Sequence, residues 1–134
     1  MKKYLLTLFV FVLALTACSA EGSSASLVGS WRLTSYGPPD ALSPAVEGSE
    51  ANITFNEDGT LGGNSGCNGY GGNYTVEGSQ ITFNEIISTL IFCEEPLGGQ
   101  EAAVYQVLTE TATYEIDGNT LTLTNNDRVL VFER

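Results

Sequence analysis

Histidine is absent from all 134 residues. That absence removes Ser-His-Asp and Cys-His nucleophile pairs, together with every histidine-containing metal site. Lysine occurs only at Lys2 and Lys3, so a domain that follows a cleaved leader carries none, and Schiff-base chemistry is excluded with it. Five cationic residues stand against sixteen acidic ones, a formal net charge of −11. Such a chain has no cationic patch to displace counterions and repels other anions, which argues against nucleic acid and against anionic membrane surfaces. Long apolar runs are missing too: Tyr4 to Leu15 spans about a dozen residues, where a membrane-crossing helix needs roughly 20. None of the three cysteines lies in a C-x-x-C spacing, so a redox pair of that type is not expected. Nothing in this composition implies a metal or a cofactor.

What is present begins with an address. Lys2 and Lys3 precede the short apolar run in the order of a secretory signal, a positive n-region and then an h-region. The run ends Leu15-Thr16-Ala17-Cys18, which resembles the lipobox of bacterial lipoproteins. The resemblance implies a signal peptide over residues 1–17, lipidation of Cys18 on sulfur, and Cys18 as the mature N-terminus. An ordinary secretory signal cut near Ala20 is the alternative. Ser19 after the cysteine implies the outer membrane if the envelope is Gram-negative. Residues 18–26 are small and polar, the composition of a tether, and the domain is expected over 27–134. The expected location is the bacterial cell envelope outside the cytoplasm, with the membrane as a partner through the lipid on Cys18. Removal of Lys2 and Lys3 leaves three arginines against the sixteen acids. That balance suits a solvated face, and it would also favour cationic partners or divalent ions.

With Cys18 assigned to lipid, Cys67 and Cys93 remain in a compartment where disulfides persist, and a bridge between them is expected. Two buried free thiols are the alternative. The chain is otherwise organised around Gly62 to Gly72, which holds six glycines and Cys67 in eleven positions. A phosphate cradle is not expected here, because no Lys-Ser or Lys-Thr follows and the stretch opens a strand instead of a helix. A tight, bulged turn that directs Cys67, Asn68 and Tyr70 inward is the expected structure. A buried Asn68 would satisfy backbone that the bulge leaves unpaired.

Alternation marks the strands. Trp31 and Leu33 share a face, with Arg32 and Thr34 on the other, and Gly37-Pro38-Pro39 ends the run. Pro44 argues against pairing in the following loop, where Leu42 and Val46 are expected to cover an edge or a barrel mouth. Ile53 and Phe55, an Asn56-to-Gly59 turn, and Thr60-Leu61 form the next hairpin. Tyr74 to Phe83 and Tyr114 to Leu123 match in their aromatic, aliphatic, acidic, glycine and threonine positions, so they are expected to be equivalent hairpins of one sheet. Ile86 to Cys93 reads as a buried strand, with Ile87, Thr89, Ile91 and Cys93 on one face. Leu97 to Glu110 carries a helical stripe, with Val104, Val107 and Leu108 at its centre, Pro96 in its first turn, and Glu94, Glu95 and Glu101 near its N-terminus. The final strand runs from Arg128 to Glu133. The expected fold is mainly β (α+β): a curved antiparallel meander or open barrel of about seven to nine strands with one helix near residues 97–110.

Carboxylates are the only acid-base groups left. Glu94-Glu95 and Glu57-Asp58 are neighbours in the chain, whereas glycoside hydrolysis needs two carboxyls facing each other across a cleft. Asn56 to Gly59 is too short for an EF-hand loop. No enzymatic activity is expected, a carboxylate-only hydrolase being the one enzyme class left open.

Trp31-x-Leu33, Ile53-Thr-Phe55 with Gly59, Gly66-Cys67-Asn68 followed by Tyr70 and Gly72, Ser88-Thr89 leading to Cys93, and Leu121-Thr-Leu123 together resemble the META domain, or HslJ-like, family. The resemblance covers Leu27 to Arg134. It implies a compact β-rich domain with one helix, often an envelope lipoprotein, linked in the family to heat shock, novobiocin resistance or parasite virulence and not to an established enzymatic activity. Family members often carry a basic residue after the asparagine of the triplet, where this chain has Gly69. The expected function is therefore a non-catalytic envelope lipoprotein that binds or supports other envelope components, with a link to stress. A carrier of a small apolar ligand or lipid within an open barrel is the alternative.

Overall fold

The computed structural model describes residues 26–134; the expected signal peptide, the Cys18 lipidation site and the tether before Ser26 lie outside the described residues. The elements are β1 (Gly29–Gly37), β2 (Ser43–Pro44), β3 (Asn52–Phe55), β4 (Thr60–Asn64), β5 (Gly69–Glu77), β6 (Gln80–Ser88), α1 (Leu97–Leu108), β7 (Thr111–Asp117), β8 (Thr120–Asn125) and β9 (Arg128–Glu133). All pairings are antiparallel; β1 pairs with β2 and with β3, β3 to β9 follow as sequence neighbours, and β1 also pairs with β9 along Arg32 to Gly37. That last pairing closes the meander into an eight-stranded barrel of β1 and β3 to β9, with β2 as an extra strand beside the upper half of β1. Closure settles whether the sheet is open, which period-2 patterning does not specify.

The alternation expected of the strands fills the barrel. Trp31, Leu33, Ile53, Phe55, Ile81, Leu121, Leu123, Leu130 and Phe132 are buried in one cluster. An eight-stranded barrel is just wide enough for side chains to fill its interior. Val104, Val107 and Leu108 of α1 join that cluster, so the helix caps the end at which β6 finishes and β7 begins. At the opposite end, where β1 starts and β9 finishes, the Arg134 guanidinium lies 4.3 Å from the Trp31 ring centroid, and the Trp31 indole N–H donates to the Leu27 carbonyl at 2.8 Å. The chain thus enters the domain at the end remote from the helix.

The two similar segments are equivalent hairpins, Tyr74 to Phe83 and Tyr114 to Leu123. Tyr74 pairs with Phe83 and Glu77 with Gln80 in the first, and Tyr114 with Leu123 and Asp117 with Thr120 in the second. Gly78 and Gly118 open the two-residue turns at φ +60° and +59°, while Ser79 and Asn119 keep negative φ, the sign pattern of a type II′ turn.

Four expectations need correction. Pro44 does pair, in the two-residue β2 opposite Ser35, because it sits on an outer edge where its missing N–H costs nothing; the next residue, Ala45, donates to Thr34 at 2.8 Å. Leu42 is exposed and covers no edge. Ile86 to Cys93 is not a buried strand: β6 ends at Ser88 and the apolar residues beyond it lie in an exposed loop. The helix stops at Leu108, two residues early, because Glu110 already leads into β7, its carbonyl accepting from the Phe83 N–H of β6.

Candidate functional site

The turn between β4 and β5 is built by its small residues. Gly66 has φ +99°, and a β-carbon there would run into the Gln100 and Ser49 side chains. The Gly66 N–H donates to Asn64 Oδ1 at 2.7 Å, and the Ser65 N–H donates to the Asn68 carbonyl at 2.9 Å. This tight turn directs Asn68 inward, where it is 2% exposed. A buried primary amide requires partners for both its ends.

Asn68 finds them on two other elements. Its Oδ1 accepts from the Ile91 N–H at 2.8 Å and from the Thr89 hydroxyl at 2.7 Å. Its Nδ2 donates to the Ile91 carbonyl at 2.9 Å and to Glu101 Oε2 at 2.9 Å. The side-chain amide therefore pairs with both backbone groups of Ile91, as a neighbouring strand would. Glu101, on α1, also accepts from the Ser65 hydroxyl at 2.6 Å and from the Asn68 N–H at 3.1 Å. Charge-assisted bonds of this kind exceed neutral ones in strength. Next to Glu101, the buried Gln100 accepts from the Val46 N–H at 2.7 Å and donates to the Ser65 carbonyl at 2.7 Å. The helix, the β4–β5 turn and both long loops are tied together at this one end.

Cys67 and Cys93 are joined in a disulfide with the α-carbons 6.2 Å apart. With Asn68 and the Thr89 N–H, which donates to the Gly69 carbonyl at 3.1 Å, the disulfide fixes the loop after β6 at three points. The apolar side chains at the end of β6 and in this loop nevertheless face solvent: Ile87 is 74% exposed, Leu90 94% and Phe92 87%. The physical reason is that β7 begins opposite Thr82, so nothing from the sheet covers β6 beyond that level. The loop is held by its backbone, the Cys93 disulfide and the Thr89 hydroxyl, which leaves its large apolar side chains outside the core.

The rest of the glycine stretch shapes the wall beside this loop. The register of β5 and β6 shifts between Gly71 and Asn73, and a β-carbon on Gly72 would lie 2.9 Å from the Asn84 carbonyl. The bulge is on β6, where Glu85 and Ile86 oppose the single Gly72, whose lack of a side chain lets the bulged strand approach. Gly63, Gly69 and Gly71 floor a shallow groove of about 480 Å³ that ends at Ile87, Ser88 and Thr89. Tyr70 points inward beneath it; its hydroxyl donates to the Asn52 carbonyl at 2.9 Å, and burial pushes its phenol pKa far above the ordinary value. Its ring meets Tyr105 edge to face at 6.0 Å.

Gly66, Cys67, Asn68, Tyr70, Gly72 and Cys93 therefore meet at one end of the barrel, while Cys18 lies outside the described residues. Of the carboxylate pairs, Glu57-Asp58 lies in the β3–β4 turn at the other end of the barrel, and Glu94-Glu95 follows Cys93 as the chain runs into α1. Asp58 turns back on its own hairpin and accepts from the Thr60 hydroxyl at 2.6 Å and the Thr60 N–H at 3.0 Å. Those bonds hold its carboxyl below the usual range, the hydroxyl contributing most. Glu95 accepts from the Gly99 N–H at 3.2 Å, in the first turn of α1. Among the described residues, no group of three or more Cys, Asp or Glu is gathered as metal ligands. The pattern reading missed Ser65 and Gln100 and gave Glu101 only a place near the helix dipole. A glutamine within the apolar stripe of α1, four residues before Val104, was the available signal.

Comparison with known proteins agrees with this geometry. No curated protein is significantly similar in sequence. Among solved structures, the NMR structure of a protein from Burkholderia xenovorans superposes with a TM-score of 0.65 at 25% identity, covering 79% of this chain and 81% of that one. A lipocalin-like protein from Bacteroides uniformis shares the fold with a TM-score of 0.53 at 20% identity, covering 81% and 97%. A duf4847 family protein from Bacteroides vulgatus gives 0.53 at 16% identity, covering 78% and 91%. The family model of the META domain matches residues 25–134, so the barrel, its helix and the Gly-Cys-Asn turn belong to one unit. The chain is a member of the META domain family.

Proposed function

We propose that this protein is a non-catalytic, lipid-anchored binding domain of the bacterial cell envelope, attached through Cys18 and presenting the loop from Leu90 to Phe92 to another envelope component. One observation carries the reading: a disulfide and a buried asparagine fasten an apolar segment outside the core. Exposed apolar patches on a soluble domain mark contact surfaces, since they otherwise invite aggregation. The catalytic repertoire fits the same role. The chain has no histidine, and Asp58 and Glu95 are each engaged within their own turns, which makes the two adjacent carboxylate pairs poor general acids or bases. The family resemblance adds a role under envelope stress.

Two measurements test the parts separately. Intact mass of membrane-extracted protein should begin at an acylated Cys18, with two thiols alkylated only after reduction. A soluble, unacylated product would make the protein a secreted domain. A photocrosslinker replacing Leu90 should capture an envelope protein in cells and lose it in a Cys18→Ala strain; no capture from that position would count against a binding role there.

A carrier of a small apolar ligand is the second reading, favoured by the barrel itself. Trp31, Phe55, Leu121 and Phe132 already occupy the interior, so a ligand there would have to displace core side chains. Native mass spectrometry of the purified chain would detect a copurifying lipid and decide for this reading.

A further inference from the structure

The free side of β6 is unusual in a closed barrel. β6 pairs with β7 only at Gln80, Ile81 and Thr82, so from Asn84 to Ser88 it has β5 on one side and no strand on the other among the described residues. Natural sheets blunt such an edge with charge, proline or a covering element. Here the edge continues into the exposed Leu90, Ile91 and Phe92, and its inner side is kept in place by Gly69 and by the amide of Asn68. The bulge at Glu85, with φ +53°, leaves Ile86 to Phe92 as the usable length.

We propose that this edge is a strand-accepting site for an extended segment of another envelope protein that alternates cationic and apolar residues. The proposal deepens the binding role above and rests on it. Main-chain bonds to an unpaired edge supply affinity, and side chains on alternate positions supply choice. Ile87, Leu90 and Phe92 offer the apolar contacts. Glu85, Glu94 and Glu95 flank them, and no arginine or lysine occurs between Arg32 and Arg128. Fixation of the loop removes ordering cost that a mobile loop would impose on binding.

Charge and position argue against the other occupants. A second copy carries the same acidic excess, so two such edges repel. The anchoring bilayer is remote: the chain enters at the start of β1, and the loop leaves the opposite end of the barrel. Strands of nine residues span about 30 Å. The eight steps of chain from Cys18 to Ser26 reach at most about 29 Å at full extension. Contact of the loop with that bilayer would need a taut tether.

The test uses the purified full-length chain and a capped synthetic peptide of alternating lysine and valine as the probe. A glutamate-valine peptide and a proline-interrupted lysine-valine peptide serve as comparators. The lysine-valine peptide should slow amide exchange across residues 86–92. Its binding should weaken at least about tenfold in a Leu90→Ser, Phe92→Ser variant whose melting temperature is unchanged, and both comparators should bind equally poorly. Protection elsewhere, or full binding by the proline-interrupted peptide, would overturn strand addition. So would partitioning onto phosphatidylcholine vesicles, or dimerisation, that depends on Leu90 and Phe92. A crosslink from position 90 in cells without protection by the peptide would keep the envelope-binding role and remove strand addition. Protection by the peptide without a crosslink would keep the strand-accepting edge and remove the envelope partner.

Discussion

Two hairpins of this barrel start from nearly the same sequence and end differently. Tyr74 to Phe83 and Tyr114 to Leu123 share their turns, their registers and the inward direction of Ile81, Phe83, Leu121 and Leu123. Beyond that shared length they part. β8 goes on to pair with β9 over its whole span, from Thr120 to Asn125, whereas β6 loses its outer partner after Thr82. The difference is one of neighbours and not of local preference. An apolar residue is core in one hairpin and surface in the other according to whether a strand reaches it. The comparison separates a half of the barrel built for stability from a half that holds a surface.

The sharpest way to test this division is to truncate one leucine on each side. Leu121→Ala removes a fully buried side chain and should destabilise by about 2–5 kcal/mol, the usual cost of a large-to-small change with its cavity. Leu90→Ala removes an exposed one and should stay within about 0.5 kcal/mol. Chemical denaturation of both variants with an unchanged denaturant slope reads the contrast. A cost above about 1 kcal/mol for Leu90→Ala would mean that the loop is part of the core after all.

Asn68→Asp tests what holds the loop. The exchange keeps both acceptor positions but removes the donors to Ile91 and Glu101, and it places a second carboxylate within about 3 Å of Glu101. Two carboxylates so close cannot both ionise cheaply, so one is expected to titrate well above the ordinary range in the folded variant. For a raised folded pKa the sign is fixed: the added proton stabilises below the unfolded value, and that support disappears as pH rises through the folded one. The variant should therefore lie about 2–3 kcal/mol below the parent at neutral pH and recover part of that near pH 4 to 5. The measurement is the difference between variant and parent across that window, and a difference that does not change with pH would rule out the carboxylate pair.

The contrast between the hairpins also marks where sequence reading succeeds. Alternation in Trp31-x-Leu33 and Ile53-x-Phe55, and the acidic-Gly turns at Gly78 and Gly118, are local signals, and the strands, the turns and the inward asparagine follow from them. Barrel closure depends on β1 meeting β9, with Leu33 opposite Phe132, a separation no local pattern encodes. The run from Ile86 to Cys93 misleads for a related reason. Consecutive apolar residues fit a strand buried on both faces, and only the late start of β7 exposes them. Gln100 and Glu101 escaped because their partners, Val46, Ser65 and Asn68, come from loops whose placement is a tertiary matter. The polar ties between elements are the least legible part of the site, since each needs two distant segments to be positioned first.

The smallest expected effect concerns the end at which the hairpins are still alike. Gly78 and Gly118 both sit at positive φ with no atom within 4 Å of a β-carbon placed on them, so substitution there costs only backbone strain. Gly78→Ala and Gly118→Ala should each destabilise by about 1–2 kcal/mol, the penalty for an L-residue in that region. They should also match each other within the few tenths that thermal denaturation resolves. That equality is the informative part. If the special character of β6 is confined to the half beyond Thr82, its turn, at the far end of the strand, has the same rigid support as its counterpart. A clearly cheaper Gly78→Ala would show that the first hairpin yields along its whole length, and the surface beyond Thr82 would then owe its exposure to a loose hairpin instead of a missing neighbour.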